Sequence, residues 1–136
     1  MSTQGTLQRI QPEGWAQPKG YANGMVGRGR VLFVAGQVGW DAQERFHTAV
    51  LHEQWAQALD NVLAVVRAAG GLPEHVARMT VFVTDHREYS AQRAEIGQAW
   101  RDRMGRHYPA MSLVEVRALL EQGAKVEIEA TAVLPD

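Results

Sequence analysis

Leu51, Trp55, Ala58, Leu59, Val62, Val66 and Ala69 recur at steps of three and four residues, which puts them on one stripe of an α-helix. The stripe stops at Gly70 and Gly71 with Pro73 just beyond, residue types that end helices. Upstream, Pro12, Gly14, Pro18 and Gly20 predict a loose lead-in around a short strand near Leu7–Ile10. Residues 21–26 and 31–37 read as a strand pair joined by the turn Gly27, Arg28, Gly29 and Arg30. Residues 38–49 show no period and read as a loop. Downstream, Met79, Thr80, Val81, Phe82 and Val83 predict a strand. Asp85 and Glu88 have the spacing of a capping box, with Asp85 accepting from an early helix amide and Glu88 reaching back. The helix they open is expected to run to about Met104 and stop at Gly105. Tyr89, Arg93, Ile96, Trp100 and Met104 share one stripe of it.

The chain closes with two strands, residues 109–116 and 125–130. In the second, Val126, Ile128, Ala130 and Ala132 alternate with Glu127, Glu129 and Thr131. Carboxylates on so apolar a strand must meet water, a partner chain or a ligand, because burying one unpaired is costly. The order of strands, helix, strand, helix and two strands is an α+β layer in which both helices cover one sheet face. The other face mixes Glu127, Glu129 and Thr131 with bulky apolar groups, a combination that suits a subunit interface holding a polar cleft.

At 136 residues the chain is expected to be one domain, residues 1–136, and 46% hydrophobic residues are ample for its core. The lack of cysteine excludes disulfides, thiolate zinc sites and a cysteine nucleophile. A net charge of −1 gives no long-range pull toward nucleic acid or an anionic membrane. Residues 1–5 lack the charged and apolar regions of a signal peptide, and no apolar run reaches membrane-spanning length. A cytoplasmic protein without nucleic-acid or membrane partners is the expectation. His47, His52, His75, His86 and His107 show no metal-ligand spacing, so no metal is expected. Ser112 has no nucleophile elbow, and Gly27, Arg28 and Gly29 are too short for a phosphate loop. Arg101, Arg103 and Arg106 stand at a helix C-terminus, where they offset the helix dipole.

Pro109, Ala110, Met111 and Ser112, followed by Glu127, Ile128 and Glu129, resemble the signature of the RidA family, also called YjgF or endoribonuclease L-PSP. That pattern is Pro-Ala-Arg-Ser, a strand, and a Glu-Ile-Glu strand. The resemblance spans about residues 21–133. It implies a chorismate-mutase-like fold with a six-stranded mixed sheet and two helices on one face. It also implies a homotrimer with pockets between neighbours, and hydrolytic deamination of small enamines or imines without a cofactor.

The family's first Glu-Ile-Glu glutamate orients and activates the hydrolytic water, and Glu127 holds that place. By alternation alone Glu127 is a solvated or salt-bridged strand residue. Glu129 is expected to form a structural pair. Val34, Ala35, Gly36 and Gln37 resemble the family's Ser-Gly-Gln run, in which Gly36 admits a ligand to the backbone and Ala35 replaces a common serine. Without the resemblance, Gly36 is a strand-end turn glycine. Tyr21 matches a tyrosine that borders the family pocket, and equally suits plain strand packing. Arg93 stands where the family often has a cleft-lining asparagine. It reads either as a stem on apolar surface with its head in water, or as an anion-binding group turned into a pocket.

Met111 is the departure. In deaminating members the arginine at that place grips the substrate carboxylate with two charge-assisted hydrogen bonds, each contributing about 1.5–3 kcal/mol. Methionine offers none, and a pocket lined by Met111, Leu113 and Trp40 is more apolar. Two functions follow. One is an imine or enamine deaminase in which Glu127 orients water while the Gly36 backbone and Arg93 hold the substrate. The other is a non-catalytic trimer that binds a small apolar metabolite or a protein partner in the same cleft. An endoribonuclease ranks below both, since no aromatic interleaving supports RNA binding.

Overall fold

The alternation of the last strand decides which way the whole sheet faces. The computed structural model describes residues 6–136, and residues 1–5, expected to carry no secretory signal, lie outside the described residues. Strands β1 (Leu7–Ile10), β2 (Gly24–Gly27) and β3 (Arg30–Val38) precede helix α1 (Leu51–Ala68). A 3₁₀ turn (Pro73–His75) leads into β4 (Val76–Val83), then α2 (His86–Ala91), α3 (Arg93–Met104), β5 (Ala110–Glu115) and β6 (Val126–Leu134). The order in the main sheet is β3-β6-β4-β5. β6 runs antiparallel to both neighbours, whereas β4 and β5 are parallel and need the crossover that α2 and α3 supply.

Val126, Ile128, Ala132 and Leu134 of β6 and Met79, Val81 and Val83 of β4 are buried under the helices. Leu51, Trp55, Leu59, Val62, Leu63 and Val66 of α1 meet them. α1 ends as its glycines predict. Gly71 N–H donates to the Val66 carbonyl, Gly70 N–H donates to that of Arg67, and Gly70 takes φ +87°. No described element covers the opposite sheet face, with Phe33 at 78% exposure, Val31 at 54% and Val114 at 41% beside Glu129 and Thr131. The expected mixture of carboxylate and bulky apolar groups is therefore present on that face.

Three expectations about elements need correction. Among the described residues the main sheet has four strands, not six, because β1 and β2 form a separate two-stranded ribbon. Residues 21–26 and 31–37 do not pair with each other: β2 pairs with β1 and β3 with β6. The glycines between them do not close a hairpin. They pass the chain from one sheet to the other, and a Cβ on Gly29 would collide with the Leu134 carbonyl. The helix expected to end at Met104 is broken at Gln92, whose φ of −110° and ψ of 20° separate α2 from α3. Gln92 serves the neighbouring helix: its side-chain oxygen accepts from His52 N–H at 2.8 Å, near an N-terminus where Val50 supplies no side-chain cap. Among the described residues, three α-helices therefore stand where two were expected.

Candidate functional site

Two groups of candidate residues emerge, one on each side of the sheet. The first lies where β3 meets β6. The ladder pairs Val34 with Ala130 and then Gln37 with Ile128, so Ala35 and Gly36 fall in a bulge without ladder partners. Glu127, half-buried, packs its carboxylate over this bulge. A Cβ on Gly36 would lie 2.5 Å from Glu127 Oε2 and 2.7 Å from its Cδ. The glycine is thus a seat for that carboxylate, not only a turn residue. Gln37 Nε2 donates to the Ala35 carbonyl at 3.1 Å and braces the bulge. Glu129 forms no ion pair among the described residues, against the structural pair expected for it. It lines a shallow cavity with Arg78, Thr80, Phe33 and Thr131 on the open face.

The second group gathers at the β5 edge on the helix side. Tyr21, Met111 and Leu113 line a cavity of about 270 Å³ together with Lys19, Gly20 and Tyr89. Arg93 lines an adjoining cavity that shares Gly20, Tyr89 and Met111. The lead-in chain is held here by Ala22, whose N–H donates to the Pro109 carbonyl at 2.9 Å and which bridges to Ala110. Arg93 is exposed at the start of α3 and its guanidinium forms no ion pair among the described residues. Trp40, expected beside Met111, packs instead against Phe46 at 5.7 Å between ring centroids.

α2 is pinned so that Tyr89 and Arg93 reach this cavity. Asp85 caps it, accepting from Arg87 N–H at 2.9 Å and Glu88 N–H at 3.3 Å. Glu88 does not complete the capping box. It pairs with Lys125 Nζ at 2.9 Å, which ties the helix to the start of β6. Glu115 at the end of β5 accepts from His86 N–H at 2.9 Å and meets His86 Nδ1 at 2.7 Å. The backbone N–H and then the ring of His86 hold the Glu115 carboxyl below its ordinary pKa. On the far side, His47 and the backbone of Arg45 hold Asp41 low in the same way, which organises the loop after β3.

Within one chain the two groups cannot meet. Glu127 pairs across the sheet with Phe82, and Phe82 with Val114, so these three share the open face. Met111 and Leu113 alternate with Ser112 and Val114 and therefore point to the helix side. Two strand spacings, about 10 Å, add to the opposite orientation. The sequence misses part of the second group. Trp55, Trp100 and Tyr108 line the cavity with Arg93, yet their spacing reads only as core. Among the described residues no cluster of three His, Cys, Asp or Glu side chains could hold a metal, and no helix is long and apolar enough to cross a membrane.

The profile described as Endoribonuclease L-PSP matches residues 15–134. A 2-iminobutanoate/2-iminopropanoate deaminase of Escherichia coli (strain K12) is 35% identical over 105 residues, covering 77% of this chain and 80% of that protein. The Rid family protein YyfB of Yersinia pestis, a solved structure of unknown function, has a TM-score of 0.84 at 34% identity, over 95% of this chain and 99% of its own. E. coli TdcF, solved with bound serine, has a TM-score of 0.68 at 32% identity, over 93% and 98% of the two chains. A family profile covering most of the sequence and a solved relative that shares almost the entire fold agree with each other: this chain belongs to the endoribonuclease L-PSP family, the RidA/YjgF family.

Proposed function

We propose that this protein is a homotrimeric hydrolytic deaminase of 2-imino acids and their enamine tautomers. The observation that carries this reading is the Glu127 carboxylate seated over Gly36, at the margin of an uncovered sheet face. The residues suited to hold a substrate lie on the other side of the sheet. A neighbouring copy, packed by its own open face, brings its Glu127 to the Tyr21, Arg93 and Met111 cavity of the first. The name of the E. coli relative, a deaminase of 2-iminobutanoate and 2-iminopropanoate, supports the chemistry.

In the reaction, water adds to the imine carbon while Glu127 orients it and accepts its proton. Glu127 then gives that proton to the nitrogen, and the resulting carbinolamine collapses: its hydroxyl proton passes to the amine, the C–N bond breaks, ammonia leaves, and the C=O of a 2-oxo acid forms. Arg93 supplies the charge for the substrate carboxylate that Met111 cannot. Imines of this kind hydrolyse unaided, so positioning one water accounts for a useful acceleration.

The test is release of 2-oxo acid from an imine generated in situ by an amino-acid-consuming enzyme. Glu127→Gln is expected to abolish the acceleration by this protein, and Arg93→Ala to raise KM by about 10-fold or more for acidic imines. Full rates in both variants would remove these residues from the mechanism. A second reading, a trimer that binds a small apolar metabolite without turning it over, is favoured by Met111 alone. Absence of acceleration with several imines would select it.

A further inference from the structure

Beneath α3 the cleft continues into a cavity of about 210 Å³ with an aromatic wall. Trp100 stacks on Tyr108 with centroids 5.7 Å apart and planes 7° from parallel, and Trp55 leans on Trp100 at 5.9 Å. Met111 stands where this cavity and the Tyr21 cleft join, since it lines both.

Trp55 is 3% exposed and its indole N–H, without a partner among the described residues, is sealed from solvent, while Trp100 Nε1 donates to the His107 carbonyl at 3.1 Å, so this wall offers ring surface rather than donors. The feature that marks the cavity as a site is Gly97, inside α3, where glycine is a poor helix former. It lines the cavity, and a Cβ there would come within 3.3 Å of Arg101 Nη1. Arg93, Gly97 and Arg101 follow each other at steps of four, so the two guanidinium groups flank a notch on one face of the helix. Neither arginine forms an ion pair among the described residues.

We propose that this cavity is the side-chain subsite of the deaminase centre and selects 2-imino acids with an aromatic side chain. The proposal rests on the function argued above for its chemistry, and names the substrate class. The substrate carboxylate pairs with Arg93. Its ring lies against the Trp100–Tyr108 layer and the Met111 thioether. Drug-sized pockets run to about 300–1,000 Å³, so this smaller space suits a single amino-acid-sized ligand. The substitution at Met111 then has a physical reason: the anion partner sits on α3, and the β5 position becomes apolar wall.

The test is calorimetric titration of the whole protein, and of its Glu127→Gln variant, with three stable oxo acids that stand in for the imines. These are 4-hydroxyphenylpyruvate, phenylpyruvate and 2-oxobutanoate. Both aromatic acids are expected to bind about 10-fold or more tightly than 2-oxobutanoate. Gly97→Leu fills the notch while favouring the helix, and should collapse the aromatic preference in a protein that still melts cooperatively. Equal binding of the three acids, no binding of any, or an aromatic preference untouched by Gly97→Leu would overturn the proposal. Aromatic selectivity without imine turnover would sink the deaminase function and leave the subsite standing. Turnover without aromatic selectivity would do the reverse.

Discussion

Gly36 owes its place to a neighbour rather than to its own backbone. It takes no positive φ, so alanine fits its conformation, but the added methyl would occupy the seat of the Glu127 carboxylate. That obstacle is the free end of a flexible side chain, which can swing aside at little cost in stability. Gly36→Ala is therefore expected to change unfolding free energy by less than about 1 kcal/mol. Turnover in the proposed deamination should fall by roughly 100-fold, since misplacing a group in that role by about 1 Å has that effect. Unchanged turnover would show that the carboxylate works from another position. Gln54 is the opposite case, a fully buried residue with a purely structural task. Its amide nitrogen donates to the Thr48 and Gly123 carbonyls and its oxygen accepts from Lys125 N–H, each at 2.9 Å. Gln54→Leu keeps the volume and strands three part-buried backbone groups. A loss of roughly 2–4 kcal/mol in denaturant unfolding is expected. Neither role is visible in the sequence, where Gln54 sits in a helix and Gly36 near a strand end, because Gly36 answers to Glu127 and Gln54 to Gly123 and Lys125, 69 and 71 positions along the chain.

At the scale of elements, α2 is a six-residue helix too short to persist by its own hydrogen bonds. It is placed by Asp85, by Lys125 and by Glu115, and through it Tyr89 and Arg93 reach the cavity. The Glu115 contact carries a pH signature. Its folded carboxyl lies below the ordinary 4.5 because the His86 N–H and ring stabilise the anion. With the folded value below the unfolded one, the contact contributes fully above the unfolded pKa and is lost as pH falls through the folded one. The stability difference between the protein and Glu115→Gln should thus be fully present above about pH 5 and shrink as pH falls through and below the ordinary carboxylate range. A gap that widens on acidification would contradict the assignment. The break at Gln92 belongs to the same scale. The stripe of Tyr89, Ile96, Trp100 and Met104 reads as one helix, and the side chain that interrupts it is spent on the amide of His52 in α1.

For the whole molecule, the uncovered face is the feature that most needs a partner. Phe33 and Val31 stand open beside half-buried Thr131 and Val133, next to the seat of Glu127. In the proposed trimer this face is the contact surface. Phe33→Asp should then shift light scattering from three copies to one and abolish deaminase activity while leaving circular dichroism unchanged, because the residue is 78% exposed within its own chain. A trimer that survives the charge places the interface elsewhere.

The sequence by itself determined what depends on near neighbours. The stripe of α1, its glycine end, the alternation of β6 and the inward turn of Val126 and Ile128 all follow from periods of 3.6 and 2, which local backbone geometry imposes. The tertiary structure alone decided which strands pair, that β2 leaves β3 for β1, and that Tyr21, Arg93, Met111 and Leu113 gather on one side of the sheet while Ala35, Gly36 and Glu127 gather on the other. Strand order is set by how distant segments share one buried face, and no local period encodes that choice.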